Sequence, residues 1–109
     1  MKIYFIKDNS CGDGEIGKHI MLELLKESAA LAKEGEAFIF VNEGVNFVVK
    51  GEFGELIELL QGAEQRGCSI YVCAHSLKEF VLEEFVRVGK VTSFEHMAKL
   101  LYEGETVGV

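Results

Sequence analysis

The chain has no proline and no tryptophan, only three cysteines, and 11 basic side chains against 18 acidic ones. Each shortage removes a class of protein. A formal net charge of −7 repels a phosphate backbone, so nucleic acid and anionic membrane surfaces are poor partners. No apolar run approaches the roughly 20 residues that a membrane-spanning helix needs. The opening MKIYFIKDNS reads as a strand and lacks the long apolar core of a signal peptide. Three cysteines, an odd number, do not make a disulfide framework; they fit a reducing compartment, and a cytoplasmic location is expected. No linker, repeat or low-complexity tract divides the 109 residues, so one domain over 1–109 is expected, large enough for a single core. There is also no C-x-x-C or H-x-x-x-H pair. Cys11, His19, Cys73, His75 and His96 all fall toward one edge, yet without that anchoring spacing no metal site is expected, and no cofactor is implied.

What is present is a regular alternation. Apolar residues make up 49% of the chain. The runs IYFI (3–6), AFIFV (37–41), SIYVC (69–73) and a tail ending TVGV (106–109) read as strands, with a further short one around Gly89–Thr92. The first three are continuous rather than alternating, as strands buried on both faces are. Helical segments lie between them. The first places Ile16, Ile20, Leu24 and Leu31 on one face, and the second gathers Phe53, Leu56, Ile57, Leu60 and Ala63. A third gathers Leu77, Phe80, Val81 and Phe85, and a fourth Phe94, Met97, Ala98 and Leu101. Ser76-Leu-Lys-Glu79 and Thr92-Ser-Phe-Glu95 have the form of capping boxes. Strands alternating with helices imply right-handed crossovers and a parallel sheet covered on both faces. The expected fold is an α/β class three-layer α/β/α sandwich of about five mostly parallel strands, broadly flavodoxin-like.

In such sheets ligands gather at the carboxyl ends of the strands. The segments there are Lys7–Gly14, Asn42–Gly51 and Cys73–Ser76, which puts Cys11 and Cys73 on the functional edge and Cys68 on the opposite one. Within the first segment, CGDGEIG spells G-x-G-x-x-G, the form of a dinucleotide loop. Five residues, Lys7–Cys11, however, separate its first glycine from the strand, and Asp13 and Glu15 occupy the place a phosphate would approach. Glu43, after the second strand, is the remaining argument for a ribose contact. The plainer reading is a turn into the first helix with Asp13 as its N-cap.

Cys73 ends a buried strand three residues before the expected helix start. Free N–H groups there stabilise an anion and favour a thiolate, and His75 adds a titratable neighbour. An accessible nucleophilic or sulfur-carrying cysteine follows; a small buried hydrophobe is the equally weighted alternative. His75 alone reads as a surface or capping residue.

The chain resembles the DsrE/DsrF-like proteins, most closely the C-terminal domain of the YedF-type proteins linked with selenium and sulfur metabolism. The matching pieces are Gly12-Asp13-x-x-Ile16-Gly17-Lys18, Phe40-x-Asn42-x-Gly44-Val45 with Gly51, and Gly67-x-x-Ile70. Cys73-x-x-Ser76-Leu77 and Val88-Gly89-x-Val91-Thr92 complete the series. Gly12 and Gly17 belong to that pattern, and Gly14 stands outside it. The resemblance implies frequent homo-oligomers and a cysteine after the third strand, here Cys73, that carries sulfur as a persulfide. The YedF-type pattern has C-x-x-C at this point, where this chain has Cys73-Ala-His-Ser76, so no local dithiol cycle is available. Cys11 would serve as a resolving thiol only if the two loops meet. YedF-type proteins usually carry a TusA-like domain as well, so a separate TusA-like sulfur donor or acceptor is the expected partner.

The function expected from all this is a sulfurtransferase-like carrier acting through Cys73 and tuned by His75, with Cys11, Gly12, Asn42, Glu43 and Ser76 around it. Two other readings stand beside it: a non-catalytic oligomeric module, which Ser76 in place of cysteine favours, and a small-molecule or nucleotide binder at the same edge. The apolar segments VNFVV (45–49) and FVLEEFV (80–86) are expected to form oligomer surfaces.

Overall fold

The second strand, AFIF, is buried along its whole length because its side chains feed two different cores. Phe38 and Phe40 point into one, and Ala37 and Ile39 into the other. The computed structural model of the chain describes residues 1–108; Val109, the last residue of the expected tail strand, lies outside the described residues. The elements run β1 (Lys2–Ile6), α1 (Gly14–Leu31), β2 (Ala37–Phe40), α2 (Gly54–Gln65), β3 (Ser69–Cys73), α3 (Ala74–Glu79), β4 (Lys90–Thr92), α4 (Phe94–Glu103) and β5 (Glu105–Gly108). Tight 3-10 turns occupy Asn42–Val48, Gly51–Phe53 and Glu83–Phe85. The sheet order is β4-β3-β2-β1-β5 with every pairing parallel, so the expected α/β sandwich is the one observed.

The larger core packs Met21, Leu25 and Ala29 of α1, Leu56 and Leu60 of α2 and Leu77 of α3 against one sheet face. The smaller packs Met97 of α4, with Leu100 and Leu101 beside it, against the other. The connections of β1, β2 and β3 therefore all pass to one face, and that of β4 passes to the opposite one.

Three expectations change. The face of α1 that packs is Gly17, Met21, Leu25 and Ala29, whereas Ile16, Ile20, Leu24 and Leu31 face outward. Gly17 leaves room for the carbonyl oxygens of Cys11 and Gly12, and two competing 3.6-residue stripes are present in one sequence. Val45, Phe47, Val48 and Val49 form no outer surface: the 3-10 turn folds them into the larger core. The third helix is six residues long; Phe80, Val81 and Phe85 lie beyond it, exposed, with Val81 in the left-handed region at φ 55.

Cys68 precedes β3 at the amino edge, buried, its thiol donating to the Lys33 carbonyl at 3.0 Å. Burial pushes this thiol above its ordinary value of 9.0, with Glu36 adding to the shift and Arg66 opposing it. A raised thiol stays protonated in the folded state while its unfolded counterpart ionises. Stability is thus complete below pH 9 and declines as pH rises further, by at most about 1.4 kcal/mol per unit for one proton. Urea titrations between pH 8 and 10.5 should show that slope in the wild type and a flatter one in Cys68→Ala.

Candidate functional site

β3 delivers Cys73 to the carboxyl edge, and α3 begins at the next residue. With no turn between strand and helix, Ser76 falls inside the first helical turn and cannot serve as its N-cap, contrary to the capping-box pattern. Cys73 is the cap: its Sγ accepts the backbone N–H of Ser76 at 3.4 Å. The Ser76 hydroxyl is turned elsewhere and accepts the N–H of Asn42 at 2.8 Å. Asn42 holds a left-handed backbone, φ 50, where the chain turns off β2. Ser76 thereby ties the β2 connection to the cysteine-capped helix. Glu79, the other half of the expected box, lies 3.7 Å from His75 Nε2. The Thr92–Glu95 box is shifted by one: Ser93 caps α4 by accepting the N–H of His96 at 3.3 Å.

Cys73 is 1% exposed and belongs to the smaller core with Ile3, Ala37, Ile39 and Met97. The expected accessible thiol is closed off in this conformation. Anion stabilisation at Cys73 rests on one direct N–H···S contact, since a six-residue helix adds little dipole. His75 is exposed, its ring 5.4 Å from that of Phe94 and inclined by 42°.

The remaining candidates lie apart. Cys11 is exposed, and its Sγ donates to Met21 Sδ at 3.5 Å on the α1 side of the sheet. Cys73 sits two strands away on the opposite face, so the structure does not bring the two thiols together. Glu43 is engaged by Asn46, whose side-chain amide donates to the Glu43 carboxylate at 3.0 Å and to its carbonyl at 2.9 Å. The glycine loop folds back on α1: Cys11 N–H donates to the Gly17 carbonyl at 3.0 Å, and Gly12 accepts the Ser10 hydroxyl. A side chain at Gly17 would meet the carbonyl oxygens of Cys11 and Gly12 at 2.8 Å. The loop is thus folded onto the first turn of α1, with its Cys11 N–H already bonded to Gly17 and two carbonyl oxygens beside it, an arrangement that does not suit a phosphate. Gly14, outside the resemblance, sits at φ +83 and is there for its backbone. Asp13 is positioned as N-cap of α1 but makes no side-chain cap bond. An open cleft of about 510 Å³ lies between the start of α1 and Phe47–Phe53, lined by Lys18, His19 and Lys50 together with Glu15 and Glu52; it contains none of Cys73, His75, Glu43 or the loop glycines. Among the described residues no three His, Cys, Asp or Glu side chains gather as metal ligands.

Residues that the sequence offered only in other roles, as a helix cap and as a metal candidate, complete the edge around Cys73. Thr92 is its register partner on β4. The Thr92 Oγ1 lies 2.7 Å from His96 Nδ1, and the His96 ring packs edge-on to Tyr71 at 4.9 Å. The available signal was the pairing of the third and fourth strands, which would have aligned Thr92 with Cys73.

A five-stranded parallel sheet covered by helices on both faces defines the class as an α/β sandwich. The model of the DsrE/DsrF-like family matches residues 1–107, and the chain belongs to that family, which is associated in general with sulfur relay. The match is to the family as a whole and does not reach the YedF-type subdivision. No curated protein sequence matches the chain. Among the described residues no helix is long and apolar enough to cross a membrane.

Proposed function

We propose that the protein is a cytoplasmic sulfur carrier in which Cys73 holds a sulfane sulfur as a persulfide. The observation that carries this reading is the direct N–H···Sγ contact from Ser76, in a chain whose family is associated with sulfur relay. In the transfer, the Cys73 thiolate attacks the outer sulfur of a donor persulfide. The donor S–S bond breaks, the donor leaves as a thiolate, and Cys73 keeps the sulfur with no change in overall oxidation state. The chemistry asks for a protein persulfide donor or a thiol acceptor, and the YedF-type resemblance makes a TusA-like protein the proposed one. Incubation with a persulfide donor should add about 32 Da to the protein. The adduct should vanish in Cys73→Ala and survive in Cys11→Ala; its absence from the wild type overturns the reading. Burial of Cys73 favours a second reading, a module without chemistry of its own, and that same absence is the result it requires.

Assembly with a second copy belongs to either reading. Ile16, Ile20 and Leu24 recur every fourth residue along the outer face of α1, with Ile16 77% exposed, and Leu31 continues the stripe. A ridge of this kind is self-complementary across a two-fold axis. Light scattering should find an oligomer for the wild type and a monomer for the double variant Ile20→Glu, Leu24→Glu. A wild-type monomer at micromolar concentration rules the assembly out.

A further inference from the structure

The open cleft beside the start of α1 contains no residue of the Cys73 edge. At about 510 Å³ it falls within the range of small-molecule sites. Buried Phe47 forms its floor, with half-buried Leu22 and Phe53 at the sides. The rings of Phe47 and Phe53 meet edge-on at 4.9 Å. One wall is the first turns of α1, and the other is the segment 50–53. That second wall is well held. Phe53 N–H donates to the Lys50 carbonyl at 3.1 Å, and Lys50 N–H donates to the Asn46 carbonyl at 3.1 Å. The Arg87 guanidinium rests against Gly51, where a Cβ would lie 3.4 Å from Nη2. One turn beyond Leu22, Lys26 reaches Glu55 at 3.5 Å and joins α1 to the start of α2. The cleft is thus built in advance of any ligand, which lowers the ordering cost of binding.

The charges around this floor are not all paired within the protein. Lys18 lies 3.7 Å from Glu15, but among the described residues His19, Lys50 and Glu52 have no ion-pair partner. The side-chain amide of half-buried Asn9, which also lines the cleft, makes no hydrogen bond among the described residues. An ammonium and a carboxylate without partners therefore line the same apolar floor. Lysines equal acids here, two against two, in a chain with 11 basic side chains against 18 acidic ones. That balance disfavours a polyanion, which Glu15 and Glu52 would repel, and favours a ligand that carries both signs.

We infer that this cleft is a binding site for a free α-amino acid with an apolar side chain. Lys50, His19 and the Asn9 amide supply donors for its carboxylate, and Glu52 takes its ammonium. The apolar side chain lies on Phe47, Phe53 and Leu22. Each unpaired group then gains a partner, and the apolar body removes ring surface from water. The site shares no residue with the surroundings of Cys73, so it stands whether or not Cys73 carries sulfur.

The test is a titration of the isotope-labelled full chain, read from backbone amide shifts, with three probes. They are L-leucine, isocaproate, which lacks the ammonium, and isoamylamine, which lacks the carboxylate. Leucine should saturate with a Kd of about 1 mM or tighter and move the amides of His19, Lys50 and Phe53. It should bind about 3-fold or more tighter than either half-molecule, the size expected for an exposed charge contact. Lys50→Glu should weaken leucine about 10-fold, because attraction becomes repulsion. Glu52→Gln should weaken leucine about 3-fold yet tighten isocaproate, since that carboxylate attracts the ammonium of one probe and repels the carboxylate of both. Both positions are exposed, so unchanged spectra away from the cleft are expected for the two variants. No saturable shift, leucine binding no tighter than isocaproate, or equal effects of Glu52→Gln on the two probes overturns the site. Shifts scattered beyond the cleft overturn it as well.

Discussion

Gly44→Ala is expected to destabilise the protein by about 3 kcal/mol or more, among the largest single effects in the chain. Gly44 is buried in the turn that follows β2, and a Cβ there would be driven against the Ile6 carbonyl oxygen, with the carbonyl carbon only 3.0 Å away. That carbonyl cannot retreat freely. It accepts the Val41 N–H at 2.9 Å, the bond that carries the β1–β2 pairing past the end of the strand. Relief of the clash would break that bond or displace the Asn42–Val48 turn, and with it Asn42 and its link to Ser76. Gly54→Ala is the matched control. Its Cβ meets nothing within 4 Å and its backbone is already helical, φ −53, so alanine should gain about 0.5 kcal/mol. In urea the Gly44→Ala midpoint should fall by roughly 1–3 M while that of Gly54→Ala rises slightly. Equal shifts for the two would show that close approach at Gly44 is not what demands glycine.

The architecture was legible because its strongest signals were unambiguous. A continuous run such as AFIF has no polar side to turn outward, so it fits a central strand with helices on both faces. The α2 stripe of Leu56, Ile57, Leu60 and Ala63 packs as its spacing implies. The α1 helix carries two apolar stripes, and spacing alone does not choose between them. Side-chain size favours Ile16, Ile20 and Leu24, while the fold buries the stripe that includes Gly17, which leaves room for the carbonyl oxygens of Cys11 and Gly12. The run Val45–Val49 has the composition of a surface patch or a core; only the chain's path after β2 decides that it is core.

Legibility of the site followed the same division. The parallel direction of the strands could be anticipated well enough to sort Cys73 and Cys68 to opposite edges. The local chemistry could not, because it depends on where a helix starts to within one residue. Had α3 begun at Leu77, Ser76 would have capped it. Beginning at Ala74, it makes the cysteine the cap and releases the Ser76 hydroxyl to bind Asn42. The residues beside Cys73 on β4 and α4 were hidden for another reason: their sequence patterns point to a helix cap and to metal spacing, and only parallel pairing sets Thr92 beside Cys73 and brings Phe94 to His75.

Arg66 is a second residue whose importance lies outside any pattern, and Arg66→Met is expected to cost about 1–2 kcal/mol. Helix α1 ends without a glycine cap and without a basic residue in its last turn. Its final carbonyls are served instead from the end of α2. Arg66 Nη2 donates to the Ala29 carbonyl at 2.7 Å and to that of Ala32 at 3.2 Å, and Nε donates to Ala32 at 3.3 Å. These are charge-assisted bonds placed where the helix is most negative, which raises their worth above a neutral cap, although partial exposure of the guanidinium limits it. Arg66→Lys should recover less than half of the loss, because an ammonium cannot reproduce the fork. Hydrogen exchange should localise the damage to the last turn of α1, with α4 unaffected. The same guanidinium opposes the upward push on the Cys68 thiol. Its removal drives that thiol higher still, so Arg66→Met should lose stability more steeply than wild type above pH 9. If exchange rises evenly across the whole chain and the alkaline slope is unchanged, Arg66 is a surface charge and not the cap of α1.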